Sequence, residues 1–159
     1  MSGIKYREPS CVLSALQVLG DVTLVTTSQQ FGGFTISELD RIMVPYCKKT
    51  LEKARQEYDE FISDNDETKR EQFANKRLMR ELEQGFQGLE LKLNTVPCSR
   101  GDFAFTTWTF GAMPKDASEE DKRLQRLVAT VILNTRKKGH NGIPVVFPKV
   151  IWDNNRTLF

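Results

Sequence analysis

The sequence is poor in the residues from which most catalytic and metal centres are built. Its 159 residues include one histidine, His140, and three widely spaced cysteines, Cys11, Cys47 and Cys98. A histidine-assisted nucleophile has one candidate partner, and that histidine lies in a glycine turn where a solvated side chain is the simpler interpretation. One histidine and three widely spaced cysteines are also a poor basis for a zinc site, and three cysteines are a poor basis for a disulfide framework. We predict three reduced thiols, no metal and no catalytic residue.

Long apolar runs and an excess of one charge are also missing. No stretch of about 18 uncharged apolar residues occurs, so no membrane span is predicted. Residues 1–10 lack the apolar core of a secretory signal. The 23 lysines and arginines nearly balance 21 acidic residues, and the net charge of +2 gives no general argument for nucleic acid binding. We therefore expect a cytoplasmic protein without membrane or nucleic-acid partners.

The first two thirds of the sequence has the residue spacing of helices. A first helix follows Ser10, which we interpret as its N-cap, and apolar residues on nearly every face predict that it is buried. Residues 35–38 have the form of a capping box and predict the start of a second helix. Pro45 should kink that helix or end its first part. A third helix is predicted over about 69–93, where apolar residues step by three and four.

The second and third helices form a long charged hairpin in which each helix has a narrow apolar stripe. One interpretation is an ordinary hairpin on the surface of the domain. The other is an interface between chains, because a narrow stripe suits the pairing of helices. The sequence leaves both open, and the second predicts a homo- or hetero-oligomer.

The last third predicts a strand, a helix and a second strand. Aromatic residues and threonine dominate 103–110, which is typical of a strand. Ser118 caps a helix with an acidic first turn, and an apolar strand is predicted over 143–152. The order and the short connections indicate a βαβ unit with parallel strands. Since parallel sheets are normally covered on both faces, we expect other polypeptide to complete this one.

Two glycine-containing loops are the candidates for binding an anion. Residues 28–33 join the first helix to the second, and residues 99–102 precede the first predicted strand. Each loop offers backbone N–H groups, and the second also offers the guanidinium of Arg100, so both can hold a phosphate. Neither a Walker A loop nor a G-x-G-x-x-G fingerprint occurs in the sequence.

Three stretches, in order, resemble motifs of the class III anaerobic ribonucleoside-triphosphate reductases. Residues 28–33, with Asp40 and residues 44–46 (S-Q-Q-F-G-G, then D, then V-P-Y), are similar to S-x-Q-Y/H-G-G, D and A/S-P-Y/F. Residues 100–111 (R-G-D-F-A-F-T-T-W-T-F-G) resemble N-G-Q-T-P-F-T-T-F-G-F-G. Residues 146–152 (V-F-P-K-V-I-W) resemble I-F-P-K-L-V-F. The resemblance spans nearly the whole chain.

The resemblance implies a fold and a ligand. It implies that the chain is part of a ten-stranded α/β barrel, with long helices at a dimer interface that binds a dNTP or ATP effector. The residues expected to bind nucleotide lie in the two glycine loops and in the last strand: Ser28, Gln30, Gly32, Gly33, Ser99, Arg100, Gly101, Asp102 and Lys149. No other cofactor is expected in this chain.

The chain also departs from the family pattern. Asp102 stands where the family has an amide, and Ala104 stands where it has a proline, so the backbone there is less fixed. The family needs a thiyl cysteine beyond the equivalent of Trp152 and a glycyl-radical segment of the form R-V-x-G-Y. Neither is matched, and none of the three cysteines corresponds to a cysteine of the family. We predict that the chain alone is inactive.

The fold we predict is α/β, a partial α/β barrel with a parallel βαβ unit and a long helical hairpin. It forms one domain over residues 1–159. Residues 1–62 hold the buried helix, the Gly-Gly loop and an interface helix, residues 63–98 the second hairpin helix, and residues 99–159 the βαβ unit.

Three functions are compatible with the sequence. In the first, the chain is the nucleotide-binding portion of a split anaerobic reductase that complementing reductase chains complete. In the second, it is a non-catalytic regulator or remnant that binds dNTPs or reductase subunits. In the third, it is a structural interaction module that associates through the helical hairpin.

Overall fold

A computed structural model describes residues 7–30, 32–62, 64, 66–98, 101–139, 142–143, 145 and 147–153. Seven elements follow one another along the chain: α1 (Val12–Gln29), β1 (Phe34–Ile36), α2 (Leu39–Phe61), α3 (Glu67–Thr95), β2 (Thr106–Phe110), α4 (Glu119–Lys138) and β3 (Lys149–Trp152). The predicted α/β class is therefore confirmed. The barrel stays a prediction, because the described strands form one three-stranded sheet.

The sheet is parallel and has the order β1-β2-β3. Ile36 pairs with Trp108, and Trp108 pairs with Val150, so β2 lies in the centre. The unit β2-α4-β3 confirms the predicted βαβ arrangement, although both strands are shorter than the sequence indicated. The hairpin of α2 and α3 connects β1 to β2, so it is itself a crossover between two parallel strands.

The hairpin forms as predicted, and its apolar stripes face the interior of this chain. Eight stripe residues are at most 1% exposed: Met43, Cys47, Leu51 and Ala54 of α2, and Ala74, Leu78, Leu82 and Phe86 of α3. Burying a large aliphatic or aromatic side chain stabilises a fold by about 1.5–3 kcal/mol. Ion pairs lie farther out, among them Arg55 with both carboxylate oxygens of Glu71 at 2.6 and 2.9 Å. The apolar stripes that suggested an interface between chains are therefore buried in contacts within one chain.

The predicted capping box at residues 35–38 is wrong. Residues 34–36 form β1 instead, and α2 begins at Leu39 after Glu38, which has a left-handed backbone (φ 52°) and makes no side-chain cap. Pairing with β2 overrides the local signal, and the Glu38 N–H donates to Thr109 Oγ1 at 3.0 Å. Pro45 does not end α2, which continues to Phe61 with buried residues on both sides of the proline.

Two expectations for α1 are also wrong. Cys11 rather than Ser10 is the N-cap, in a reciprocal arrangement with Ser14. The helix is buried on one face only, because it packs mainly against α3 and α2 while Val22 and Val25 remain 45% and 58% exposed. Among the described residues, no helix combines the length and the apolar character that a bilayer crossing requires.

Ser118 is the N-cap of α4, as the sequence predicted, and its hydroxyl accepts a hydrogen bond from the Asp121 N–H at 3.1 Å. Removing this acceptor leaves a helix N–H without its partner. We expect Ser118→Ala to lower the free energy of unfolding by about 1 kcal/mol in urea denaturation. Ser37→Ala, at an exposed position, is the matched control and should change it by less than about 0.5 kcal/mol. Equal effects of the two substitutions would contradict the capping role.

Candidate functional site

The residues predicted to bind nucleotide, as far as the structure describes them, lie in three segments at one edge of the sheet. All strands of a parallel sheet begin at the same edge. The Gly-Gly loop precedes β1, the turn around Gly101 precedes β2, and Lys149 is the first residue of β3. Three segments that are far apart in the sequence therefore meet at the amino-terminal edge of the sheet.

Contacts between the first two segments hold this edge together. The Phe34 N–H donates to the Phe105 carbonyl at 2.9 Å. A Cβ on Gly33 would lie 3.2 Å from that same carbonyl oxygen, so only glycine allows the two backbones to approach without adjustment. Thr27 Oγ1 lies 3.2 Å from Cys98 Sγ, which joins the end of α1 to the segment that leads into the second loop.

The residues of the first loop follow one another from the last turn of α1. Ser28 is half-buried, and its hydroxyl donates to the Leu24 carbonyl at 2.7 Å. Gln30, Gly32 and Gly33 are exposed. These three residues therefore stand at the surface of the amino-terminal edge.

The second loop is a tight turn. The Gly101 N–H donates to the Cys98 carbonyl at 2.8 Å, and the Cys98 N–H donates to the Asp102 carbonyl at 2.7 Å. The φ of 84° at Gly101 lies in the region that favours glycine. Gly101 and Asp102 are exposed, as is Lys149 on the third segment. Ser99 and Arg100 lie outside the described residues.

Two helices donate hydrogen bonds to the third segment. The Asn94 side chain donates to the Phe147 carbonyl at 2.7 Å, and Arg136 Nη2 donates to the Val145 carbonyl at 3.1 Å. Arg136 Nη1 also lies 3.4 Å from Glu90 Oε1. The ends of α3 and α4 therefore fix the chain that leads into Lys149.

Glu90 is a charged residue in the core, only 1% exposed. Burial raises the pKa of its carboxyl to about 7, and the charge and hydrogen bond of Arg136 work in the opposite direction. Sequence reasoning missed Glu90 and Arg136. One feature of the sequence could have revealed the pair. Glu90 lies beside Leu89 and Leu93 in the apolar stripe of α3, and a charged side chain at such a position needs a partner.

The carboxyl-terminal edge of the sheet is organised around Asp40, which is fully buried. Asp40 Oδ2 accepts hydrogen bonds from the Gly111 N–H at 3.0 Å and from Gln125 Nε2 at 2.9 Å. Gln125 Nε2 also donates to the Ala112 carbonyl at 2.7 Å. Burial raises the pKa of Asp40, and the bonds from Gln125 and Gly111 oppose that rise. Asp40 thereby ties α2, α4 and the segment after β2 together.

A cleft of about 490 Å³ lies between α2, the segment after β2 and the start of α4. Its charged lining residues are Arg41, Lys48, Asp116 and Asp121, so their formal charges cancel. Lys48 is paired with Asp121 at 2.7 Å. The cleft therefore offers no concentrated positive charge to attract a phosphate.

The thiols do not form a reactive centre in the described part of the chain. No three side chains of histidine, cysteine, aspartate or glutamate come together there as a metal site, and His140 lies outside it. Cys11, Cys47 and Cys98 are free thiols. Cys47 is fully buried, and burial raises the pKa of its thiol to about 12, which keeps it protonated and unreactive at neutral pH.

Comparison with known proteins points to one family. The sequence profile of the family described as anaerobic ribonucleoside-triphosphate reductase matches residues 1–158. The chain is 29% identical to the reductase of that name from Enterobacteria phage T4, over 95% of this chain and 24% of the relative. It is 28% identical to that of Escherichia coli (strain K12), over 96% of this chain and 20% of the relative. The chain thus spans between a fifth and a quarter of the length of these relatives.

Proposed function

The chain belongs to the anaerobic ribonucleoside-triphosphate reductase family, and we propose that it is the nucleotide-binding portion of such an enzyme. In this proposal it contributes substrate and effector loops and interface helices to a cytoplasmic reductase that other chains complete. The observation that carries the proposal is the convergence of three predicted nucleotide segments on one edge of the sheet. The Gly-Gly loop, the turn around Gly101 and the start of β3 are far apart in sequence, yet hydrogen bonds and a glycine contact bring the first two together.

Completion by polypeptide outside these 159 residues is part of the proposal, and the cysteines support it. The chain spans between a fifth and a quarter of the length of the relatives, and none of its three cysteines corresponds to a cysteine of the family that the sequence resembles. The class III reductases, which the sequence resembles, use a thiyl cysteine and a glycyl radical. We propose that a complementing polypeptide supplies both, and that the dNTP or ATP effector acts through the loops of this chain.

The interface we propose uses the outer surface of the hairpin. Because the apolar stripes of α2 and α3 pack against each other, a partner has to contact the remaining faces, where Ile42, Phe73 and Leu91 are exposed. Such an interface is compatible with a homo-oligomer or with a complex between this chain and a complementing reductase chain.

A non-catalytic dNTP-binding or subunit-binding regulator is the second candidate, and the lack of a cysteine that corresponds to a cysteine of the resembled family favours it. A reduction assay separates the two functions. Under the first proposal, the purified chain reduces no ribonucleotide alone and gains activity when a complementing reductase chain is added. Turnover by the isolated chain would refute the need for a partner, and persistent inactivity in the complete mixture would favour the regulator.

Nucleotide binding itself is tested by thermal unfolding with ATP, dATP, dGTP and dTTP. A nucleotide at a hundredfold excess over its dissociation constant should stabilise the chain by about 2.7 kcal/mol. Arg100→Ala should weaken binding and leave any dimer intact, whereas Arg80→Ala, an exposed arginine of α3, should change neither. A dimer that is insensitive to every nucleotide would instead favour a purely structural interaction module.

A further inference from the structure

The segment that leads into β3 is attached to the helices by side chains. The Asn94 side chain donates to the Phe147 carbonyl, and Arg136 Nη2 donates to the Val145 carbonyl. Residues 145–148 precede Lys149, the first residue of β3 that pairs with β2. β3 lies at the edge of the sheet, where β2 is its one described neighbour. Asn94 and Arg136 therefore supply an attachment that the sheet does not give to this segment.

Both side chains also contact Glu90, which is 1% exposed. Asn94 Nδ2 donates to the Glu90 carbonyl at 2.7 Å as well as to Phe147. Arg136 contacts Glu90 Oε1 at 3.4 Å through Nη1, and it holds Val145 through Nη2. We call Glu90, Asn94 and Arg136 the Glu90 cluster. Because one side chain is enough to bridge each gap, the carboxyl of Glu90 lies next to residues 145–147, which help to shield it from water.

This burial disfavours the ionised form of the carboxyl. It raises the pKa of Glu90 from 4.5 to about 7, although the charge and the hydrogen bond of Arg136 act to lower it. An opening of residues 145–148 that admits water removes the desolvation and returns the pKa toward its ordinary value. The open form is therefore the stronger acid, and linkage requires that a rising pH favours it.

Among the described residues, Arg136 is the charged group that acts on Glu90. Other charged groups on the surrounding elements have partners elsewhere or face solvent. Asp21 of α1 pairs with Lys92 of α3, Asp40 of α2 accepts hydrogen bonds at the opposite edge of the sheet, and Lys149 of β3 is exposed. The pH response of the segment is therefore assigned to Glu90.

We propose that Glu90 is a pH-sensitive switch for this edge of the sheet, and that its ionisation opens residues 145–148 and loosens β3 from β2. At pH 6 the carboxyl is protonated in the closed form, and the segment stays against α3 and α4. Above about pH 7 the carboxyl ionises, and opening hydrates the carboxylate and the guanidinium of Arg136. The switch concerns the attachment of β3 and does not depend on whether the chain binds a nucleotide.

Hydrogen–deuterium exchange of the full chain at pH 6 and pH 8.5, each corrected for the intrinsic exchange rate at that pH, tests the switch. Amides of residues 145–153 should exchange through a local opening, faster than those of residues 78–86 in the core of α3. This local exchange should not change with urea well below the unfolding transition. A pKa of about 7 in the closed form and 4.5 in the open form predicts that the open population increases by about tenfold between the two pH values.

Glu90→Gln keeps the size of the side chain and cannot ionise, so its open population should be the same at both pH values. Glu83→Gln, which changes a half-buried glutamate of the same helix, is the matched control and should keep the tenfold increase. Three results would overturn the switch: an opening in the unaltered chain that is independent of pH, an increase that persists in Glu90→Gln or disappears in Glu83→Gln, or exchange of residues 145–153 only together with the core.

Discussion

Asp40→Ala should lower the free energy of unfolding by about 3 kcal/mol, because Asp40 is the buried hydrogen-bond acceptor at the carboxyl-terminal edge of the sheet. The substitution removes the oxygen that accepts hydrogen bonds from Gly111 and Gln125 and leaves a fully buried N–H group without an acceptor. It also leaves a cavity between α2 and α4, which adds to the loss. Urea denaturation at pH 7 measures the change.

Asp40→Asn is the matched control. Its amide oxygen can accept the same two hydrogen bonds, and it carries no charge that must be desolvated. Burial raises the pKa of Asp40, so the unaltered chain loses free energy of unfolding as the pH rises through the raised value and the buried carboxyl ionises. The asparagine side chain does not ionise, so the variant does not have this loss. We expect Asp40→Asn to lie within about 1 kcal/mol of the unaltered chain. Equal losses for alanine and asparagine would contradict the role of Asp40 as a hydrogen-bond acceptor.

Arg136→Met should destabilise the chain in a strongly pH-dependent way. At pH 8.5 the substitution removes the cation beside the buried Glu90 carboxylate, and breaking such a pair costs about 3 kcal/mol. At pH 5.5 Glu90 is protonated, so the loss shrinks to the hydrogen bond from Arg136 to Val145, about 1 kcal/mol. Urea denaturation at the two pH values measures both losses.

The direction of this pH dependence follows from the pKa of Glu90. Its ordinary value is 4.5, and burial raises it to about 7, so the folded state holds the proton more tightly than the unfolded state does. The stability from this group is complete below about pH 4.5 and is lost as the pH rises through about 7. Glu90→Gln should abolish this pH dependence, alone and combined with Arg136→Met. A loss in Arg136→Met that is the same at both pH values would contradict the coupling.

Elements defined by nearby residues were predictable from the sequence. The apolar stripe of α3, the Ser118 cap of α4 and the strand-helix-strand order of the last third all depend on spacings of a few residues. The structure has each of them, with bounds shifted by a few residues. The positions of the glycine loops relative to β2 and β3 follow from the same order, because parallel strands share their amino-terminal edge.

Features that depend on distant residues were not predictable. The strand β1 is three residues long and exists because residues 34–36 pair with β2, about 70 positions later, against a local capping signal. Asp40 and Gln125 are 85 positions apart, and Glu90 and Arg136 are 46 apart. Each of these four residues has a conventional interpretation in its own helix, and only the fold reveals which buried partner it requires.

Hydrogen–deuterium exchange with and without a nucleoside triphosphate locates the ligand on the chain. A nucleotide at the amino-terminal edge of the sheet should slow exchange in peptides that contain residues 28–36, 101–109 and 147–152, and should leave exchange unchanged in residues 111–121, around the charge-balanced cleft at the opposite edge. Protection confined to that cleft, or no protection anywhere at saturating ATP, would contradict a nucleotide site at the amino-terminal edge of the sheet.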